Sequence, residues 1–145
     1  MKTLIIIRPY AVQRGLVGEI LSRFERHGIR IAGLKVTKMT RELAEELYAQ
    51  HRGAEFYDRL IKNMTSDPLA IAVLDTDVLD PDSAVALVRK IIGDTDPAKA
   101  EMGTIRGDFG LRIDQNIIHA SDNSDSAKKE IPMFFKKEDL VEYTN

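Results

Sequence analysis

The chain has 145 residues and a mass of 16.3 kDa, the size of one domain, and we expect a single domain over residues 1–145. Hydrophobic residues make up 43% and charged residues 30%, which supports a buried core and excludes compositional disorder. Twenty-one basic residues against 23 acidic ones argue against nucleic-acid binding through bulk charge, and the absence of cysteine excludes disulfides, thiol catalysis and thiolate metal sites. No segment approaches the roughly 18 apolar residues that a membrane span needs. The opening run Leu4 to Ile7 is too short for a signal peptide and is broken at once by Arg8-Pro9. The expectation is a cytoplasmic protein without a membrane or nucleic-acid partner.

Leu4-Ile5-Ile6-Ile7 reads as a strand buried on both faces and ended by a turn at Pro9. Leu16, Val17, Ile20, Leu21 and Phe24 recur at helical spacing, and His27-Gly28 supplies the stop. Ile29 to Lys38 alternates as a second strand. Thr40 is a helix cap ahead of Leu43, Leu47 and Tyr48, and a further helix spans about Glu55 to Asn63. Ser66-Asp67-Pro68 is turn chemistry, and Leu69 to Leu74 is a third strand. Asp75 to Asp82 reads as an acidic, solvated surface loop, with Asp80 and Pro81 starting a helix that Gly93 ends. Residues 94–110 show no period beyond a short helical turn near Pro97 to Lys99. Ile117-Ile118 is a fourth strand, and Asn123 or Ser124 caps a helix through Ile131. The tail from Phe134 to Asn145 is charged, with scattered apolar residues. Removing the extra helix after the second strand leaves βαββαβ. That is an α+β, ferredoxin-like pattern: a four-stranded antiparallel sheet with helices on one face, additional helices and a C-terminal extension.

The two common glycine-rich phosphate signatures are absent, and histidines at 27, 51 and 119 have no metal-ligand spacing. His119 ends the fourth strand beside Ala120-Ser121-Asp122. It could be a nucleophile oriented by a carboxylate. From spacing alone, a satisfied structural histidine is the commoner case. Gly103-Thr104-Ile105-Arg106-Gly107-Asp108-Phe109 offers an arginine for bidentate phosphate binding, or an Arg106–Asp108 surface pair. Arg89 is either a further phosphate ligand or the polar face of its helix.

Taken together, Val12-Gln13-Arg14-Gly15-Leu16-Val17-Gly18-Glu19-Ile20, the Gly103–Phe109 segment, Asn116-Ile117-Ile118-His119-Ala120-Ser121-Asp122, Ser126-Ala127 and Glu130-Ile131 resemble the nucleoside diphosphate kinase family. The resemblance runs from about Leu4 to Phe135. It implies ping-pong transfer of the γ-phosphate of ATP, or another nucleoside triphosphate, to a nucleoside diphosphate through a phosphohistidine. His119 matches that histidine, Glu130 the carboxylate that holds its ring, Ser121 its support, and Tyr48 the tyrosine beside it. Arg89, Thr95 and Arg106 match phosphate ligands, and His51 a position near the phosphates. Asn116 matches the ribose contact, and Phe56 and Ile113 the two sides of the base. Arg8 stands where the family has a lysine that reaches phosphate and sugar. Mg2+ is implied on the nucleotide phosphates rather than on protein ligands. The family forms homo-oligomers, so a hexamer is expected, with a tetramer as the other form, and the tail is long enough to reach a neighbouring subunit.

The sequence departs from the family at Arg8-Pro9-Tyr10-Ala11, where Lys-Pro-Asp-Gly is usual, at Ala120 in place of glycine, and at Asp67 in place of a glycine. A few extra acidic residues lie within Asp75 to Asp82. These departures motivate an alternative: a nucleotide-binding or scaffolding relative with weakened or lost phosphotransfer. Nucleotide binding without a phosphohistidine would mark it.

Overall fold

A computed structural model describes residues 1–76, 79–113 and 116–144. Asp77 and Val78 of the acidic insertion lie outside the described residues. The sheet has four strands in the order β2-β3-β1-β4. They are β1 Lys2–Ile7, β2 Arg30–Thr37, β3 Leu69–Asp75 and β4 Ile118–Ala120, and every pairing is antiparallel. The helices are α1 Pro9–Gln13, α2 Val17–Glu25, α3 Arg41–Leu47, α4 Tyr57–Thr65, α5 Pro81–Ile92, α6 Ile105–Phe109 and α7 Ser124–Phe134.

Side chains alternate across the sheet, and this divides the core in two. Ile5, Ile7, Ala70, Ala72 and Leu74 pack against Ile20, Leu21 and Phe24 of α2 and Val88, Ile91 and Ile92 of α5. Leu4, Ile6, Leu69, Ile71 and Val73 face Ala44 of α3, Ile61 and Met64 of α4, and Phe134 of α7. Helices therefore cover both faces, where the ferredoxin-like pattern alone led us to expect one. The reason is in β1 and β3. Their alternate positions are apolar on both sides, so a second apolar layer has to exclude water from the face left bare by α2 and α5.

The expected caps form. Thr40, Asp80 and Asn123 accept hydrogen bonds from the backbone N–H of Leu43, Ser83 and Ser126 at 3.2, 3.0 and 2.8 Å. Gly28, with φ +78°, closes α2 in the left-handed region. Three elements differ from expectation. Pro9 does not merely turn the chain; it opens α1, because proline is preset for the first helical position. Residues 105–109 form a helix inside the segment read as irregular. Thr104 Oγ1 caps it by accepting from Gly107 N–H at 2.9 Å, and Ile105 is fully buried. The acidic loop is not all solvated either: Asp75 ends β3 in a buried position 4.0 Å from the N-terminal amine.

The tail folds back on its own chain. β2 carries a bulge between Ile31 and Gly33, and the carbonyl of the bulged Ala32 accepts from Val141 N–H at 2.9 Å. Gly33 leaves room there for Phe135 and Leu140, whose side chains lie where a Cβ would stand.

Candidate active site

β4 pairs with β1 so that His119 stands opposite Ile6, between Ile118 and Ala120, which face the other core. Paired residues share a face, so His119 projects toward α3 and α7. There its Nε2 meets Glu130 Oε1 at 2.9 Å, and Ser121 Oγ donates to the same oxygen at 3.3 Å. Tyr48, at the end of α3, meets the imidazole edge-on with ring centroids 5.7 Å apart. Burial pushes the Tyr48 phenol up to about 12; Arg8 opposes that rise and Glu130 adds to it. Tyr48 is thus a neutral wall, not a base.

In front of His119 lies a cleft of about 540 Å³. Arg8, Tyr48, His51, Phe56, Arg89, Thr95, Arg106, Ile113, Asn116 and His119 all line it. Ser121 and Glu130 are outside this lining and support His119 from behind. The sequence had scattered these residues over more than 100 positions, and the fold brings them together. Phe56 and Ile113 are 48% and 59% exposed, which leaves an open, flat-walled end away from the histidine. His51 sits between Tyr48 and Phe56, its centroid 5.4 Å from that of Phe56.

Arg106 is not half of a surface pair with Asp108. It is buried, and it donates to Gly93 O at 3.1 Å, Ile118 O at 3.0 Å and Asn116 Oδ1 at 3.2 Å. Asn116 Oδ1 also accepts from Ile118 N–H at 3.3 Å, so its side chain is oriented by both neighbours. Asp108 instead accepts from Arg23 at 2.7 Å and from Gly103 N–H at 2.8 Å, fastening α6 to α2. Gly93 serves twice. Its φ of +93° ends α5, and its carbonyl holds Arg106.

Burial lowers the Arg106 pKa to about 10, with Arg89 and Arg8 adding repulsion. Burial lowers that of Arg8 too. Both remain cations at neutral pH, held close together where water is scarce. Asp122 is the only carboxylate lining the cleft among the described residues, and it accepts from Arg89 at 3.2 Å. The carboxylate that orients His119 is thus Glu130, while its sequence neighbour Asp122 pairs elsewhere. A cationic cleft of this kind is complementary to a polyanion. Among the described residues no group of three or more His, Asp or Glu could hold a metal ion. No helix among them is long and apolar enough to cross a membrane.

Arg59, Leu60, Asn63 and Asp122 also line the cleft and were not assigned to the site from sequence. The first three had a usable signal. They stand three, four and seven residues after Phe56 on α4, the spacing of one helix face.

A histidine held by a carboxylate beside a cationic cleft is a constellation suited to phosphoryl transfer. The nucleoside diphosphate kinase family model matches residues 1–140. A nucleoside diphosphate kinase from Thermomicrobium roseum is 50% identical over 142 residues, 98% of this chain and 92% of the relative. The solved halophilic nucleoside diphosphate kinase of Halobacterium salinarum, in complex with CDP, superposes with a TM-score of 0.92 at 37% identity, covering 100% of this chain and 93% of that one. The Aquifex aeolicus nucleoside diphosphate kinase gives 0.88 at 39% identity, covering 97% and 98%. The chain belongs to the nucleoside diphosphate kinase family, and its activity is the transfer of the terminal phosphate of a nucleoside triphosphate to a nucleoside diphosphate.

Proposed function

We propose that transfer runs by a ping-pong route through His119 Nδ1. The observation that carries this is the 2.9 Å contact between His119 Nε2 and Glu130 Oε1. A carboxylate only accepts, so Nε2 carries the proton and the lone pair lies on Nδ1. That lone pair attacks the γ-phosphorus of ATP, the bond from phosphorus to the bridging β-γ oxygen breaks, and ADP leaves. Glu130 stabilises the charge that develops on the ring, and Ser121 keeps Glu130 in place. The second half reverses the first, with a β-phosphate oxygen of the incoming nucleoside diphosphate as nucleophile.

Arg89, Thr95 and Arg106 bind the phosphates in this reading, with His51 nearby. Arg8 reaches phosphate and sugar, Asn116 holds the ribose, and Phe56 and Ile113 hold the base. Stacking tolerates every base, because each has a π-face. Catalysis then rests on positioning and charge stabilisation. Mg2+ arrives with the nucleotide as part of the substrate and neutralises phosphate charge. The cationic lining of the cleft agrees with a metal held by phosphates rather than by protein. The chain acts as a single domain in the cytoplasm. It assembles as a homo-oligomer, a hexamer in preference to a tetramer. Leu34 and Val36, 49% and 62% exposed on the edge strand β2, support burial against another copy.

The test uses γ-labelled ATP with Mg2+, removal of nucleotide, and a chase with GDP. Acid-labile label on His119 that passes to GDP, and is absent from His119→Ala, is the expected result. Bound ATP without label would refute the phosphohistidine route.

A further inference from the structure

Arg106 depends on two short pieces of backbone. α6 carries it, and the Gly93 carbonyl at the end of α5 accepts from its guanidinium at 3.1 Å. Neither piece is firm by itself. α6 is five residues long with a glycine inside it, too short to persist without outside support. Gly93 has a φ of +93° and no side chain to anchor it. One side chain serves both. Thr104 Oγ1 donates to Glu101 O at 2.6 Å and accepts from Gly107 N–H at 2.9 Å, so a single oxygen fixes the first turn of α6 to the segment before it. The same side chain lies against Gly93 and fills the place where a Cβ would stand. We propose that Thr104 is a positioning residue for phosphoryl transfer: its hydroxyl sets Arg106 for the nucleotide phosphates without touching them. The inference rests on the phosphate-binding reading of Arg106 given above.

Placement separates this role from direct binding. Arg106 lines the cleft and Thr104 does not. Packing then ties the two together. A Cβ at Gly107 would overlap Glu101 O, the same carbonyl that Thr104 binds, so residues 101–107 have little slack. A shift at the start of α6 therefore moves the Arg106 backbone, and a shift at Gly93 moves one of its acceptors. The guanidinium is buried, and water cannot make good a bond that it loses there. An ordinary cap steadies its own helix. Here both supports of one phosphate-binding arginine meet at one hydroxyl. Without it the unliganded segment relaxes, and the nucleotide has to set Arg106 again on binding, at the expense of affinity.

The experiment is a double-substitution cycle with Thr104→Val and Arg106→Gln, read by calorimetric titration of Mg-ADP into the full chain. Valine keeps the branched shape and removes the hydroxyl. Thr104→Val weakens binding about fivefold, the size of a lost cap passed on to the ligand. Arg106→Gln weakens it by about tenfold or more. Adding Thr104→Val to Arg106→Gln then costs less than about twofold, because no guanidinium is left to misplace. Thr104→Ser retains the hydroxyl and binds within about twofold of the unmodified protein. Thr104→Ala passes through the same cycle with the same pattern, and replaces valine if that variant does not fold. Undiminished binding in Thr104→Val refutes the proposal. So does a loss of equal size in both backgrounds, which is general damage to the fold. Equal losses in Thr104→Ser and Thr104→Val trace the effect to the methyl group and overturn the role of the hydroxyl. In these three cases the reading of Arg106 stands. If Arg106→Gln binds ADP as tightly as the unmodified protein, that reading falls, and the proposal falls with it.

Discussion

Replacing Glu130 with glutamine removes a charge while keeping an acceptor in the same place, so it isolates the electrostatic part of the His119 contact. Two unit charges separated by the observed 2.9 Å attract by about 6 kcal/mol at an effective dielectric of about 20. The His119 and Glu130 side chains are 20% and 14% exposed, and the Ser121 hydroxyl spreads the carboxylate charge, so about half of that, ~3 kcal/mol, is a better figure. The neutral amide still accepts from Nε2–H, and the ring gains only part of its charge before the transition state. The loss felt in the barrier is then about 1.5–3 kcal/mol, or roughly 10–100-fold in the rate of His119 phosphorylation. Rapid-quench, single-turnover measurements with labelled ATP read that rate directly. ADP titration reads the binding step, which should move less than about twofold, because Glu130 lies outside the lining of the nucleotide cleft. Unchanged phosphorylation, or a loss confined to ADP affinity, would refute the assignment of Glu130 to charge stabilisation.

The clustered arginines imply strong linkage between ligand and fold. Mg-ADP at about 100 times its Kd should add about 2.7 kcal/mol, a rise in Tm of roughly 6–10 °C for a chain of this size, measured by calorimetric melting; no rise would count against nucleotide binding in the cleft. Gly107 and Gly18 should respond oppositely to alanine. A Cβ at Gly107 overlaps the Glu101 carbonyl, costs about 1–3 kcal/mol, and displaces Arg106 so that ADP affinity falls. Gly18 has open space on α2, so its substitution stabilises by roughly 0.4–1 kcal/mol in urea unfolding. The Gly103 N–H, and then Arg23, hold the Asp108 carboxyl below the usual range. Its folded pKa is therefore below its unfolded one, and its contribution is present above about pH 4 and lost as pH falls through the folded value. Asp108→Asn should cost about 0.2–1 kcal/mol at pH 7, and the gap from the unmodified protein should close below about pH 4 in paired urea titrations.

Much of the local structure was legible in the sequence because its causes are local. Isoleucines at positions 5 to 7 announced a strand buried on both faces. Thr40, Asp80 and Asn123 announced helix starts, and Gly28 a helix end. The order of strands and helices then gave the sheet topology. His119, Glu130 and the cleft residues came from the resemblance, which compresses the outcome of folding into a pattern of residues. Composition and spacing alone left His119 open between nucleophile and structural histidine.

Other features depend on partners far along the chain, and only the tertiary structure decides them. Five residues with an internal glycine carry too weak a period to reveal α6. It forms because Ile105 is buried and Asp108 meets Arg23, 85 positions earlier. The sequence could not assign Arg106 to the interior, because its three acceptors belong to Gly93, Asn116 and Ile118. The tail lies along β2 because a bulge frees the Ala32 carbonyl and Gly33 leaves a slot. The free nitrogen of His119 is likewise set by the side of the ring that Glu130 reaches. Short-range sterics, caps and apolar periodicity act within a few residues and can be read in order. Hydrogen bonds to a buried guanidinium, and the gathering of residues from several elements around one cleft, exist only once the sheet has drawn distant segments together.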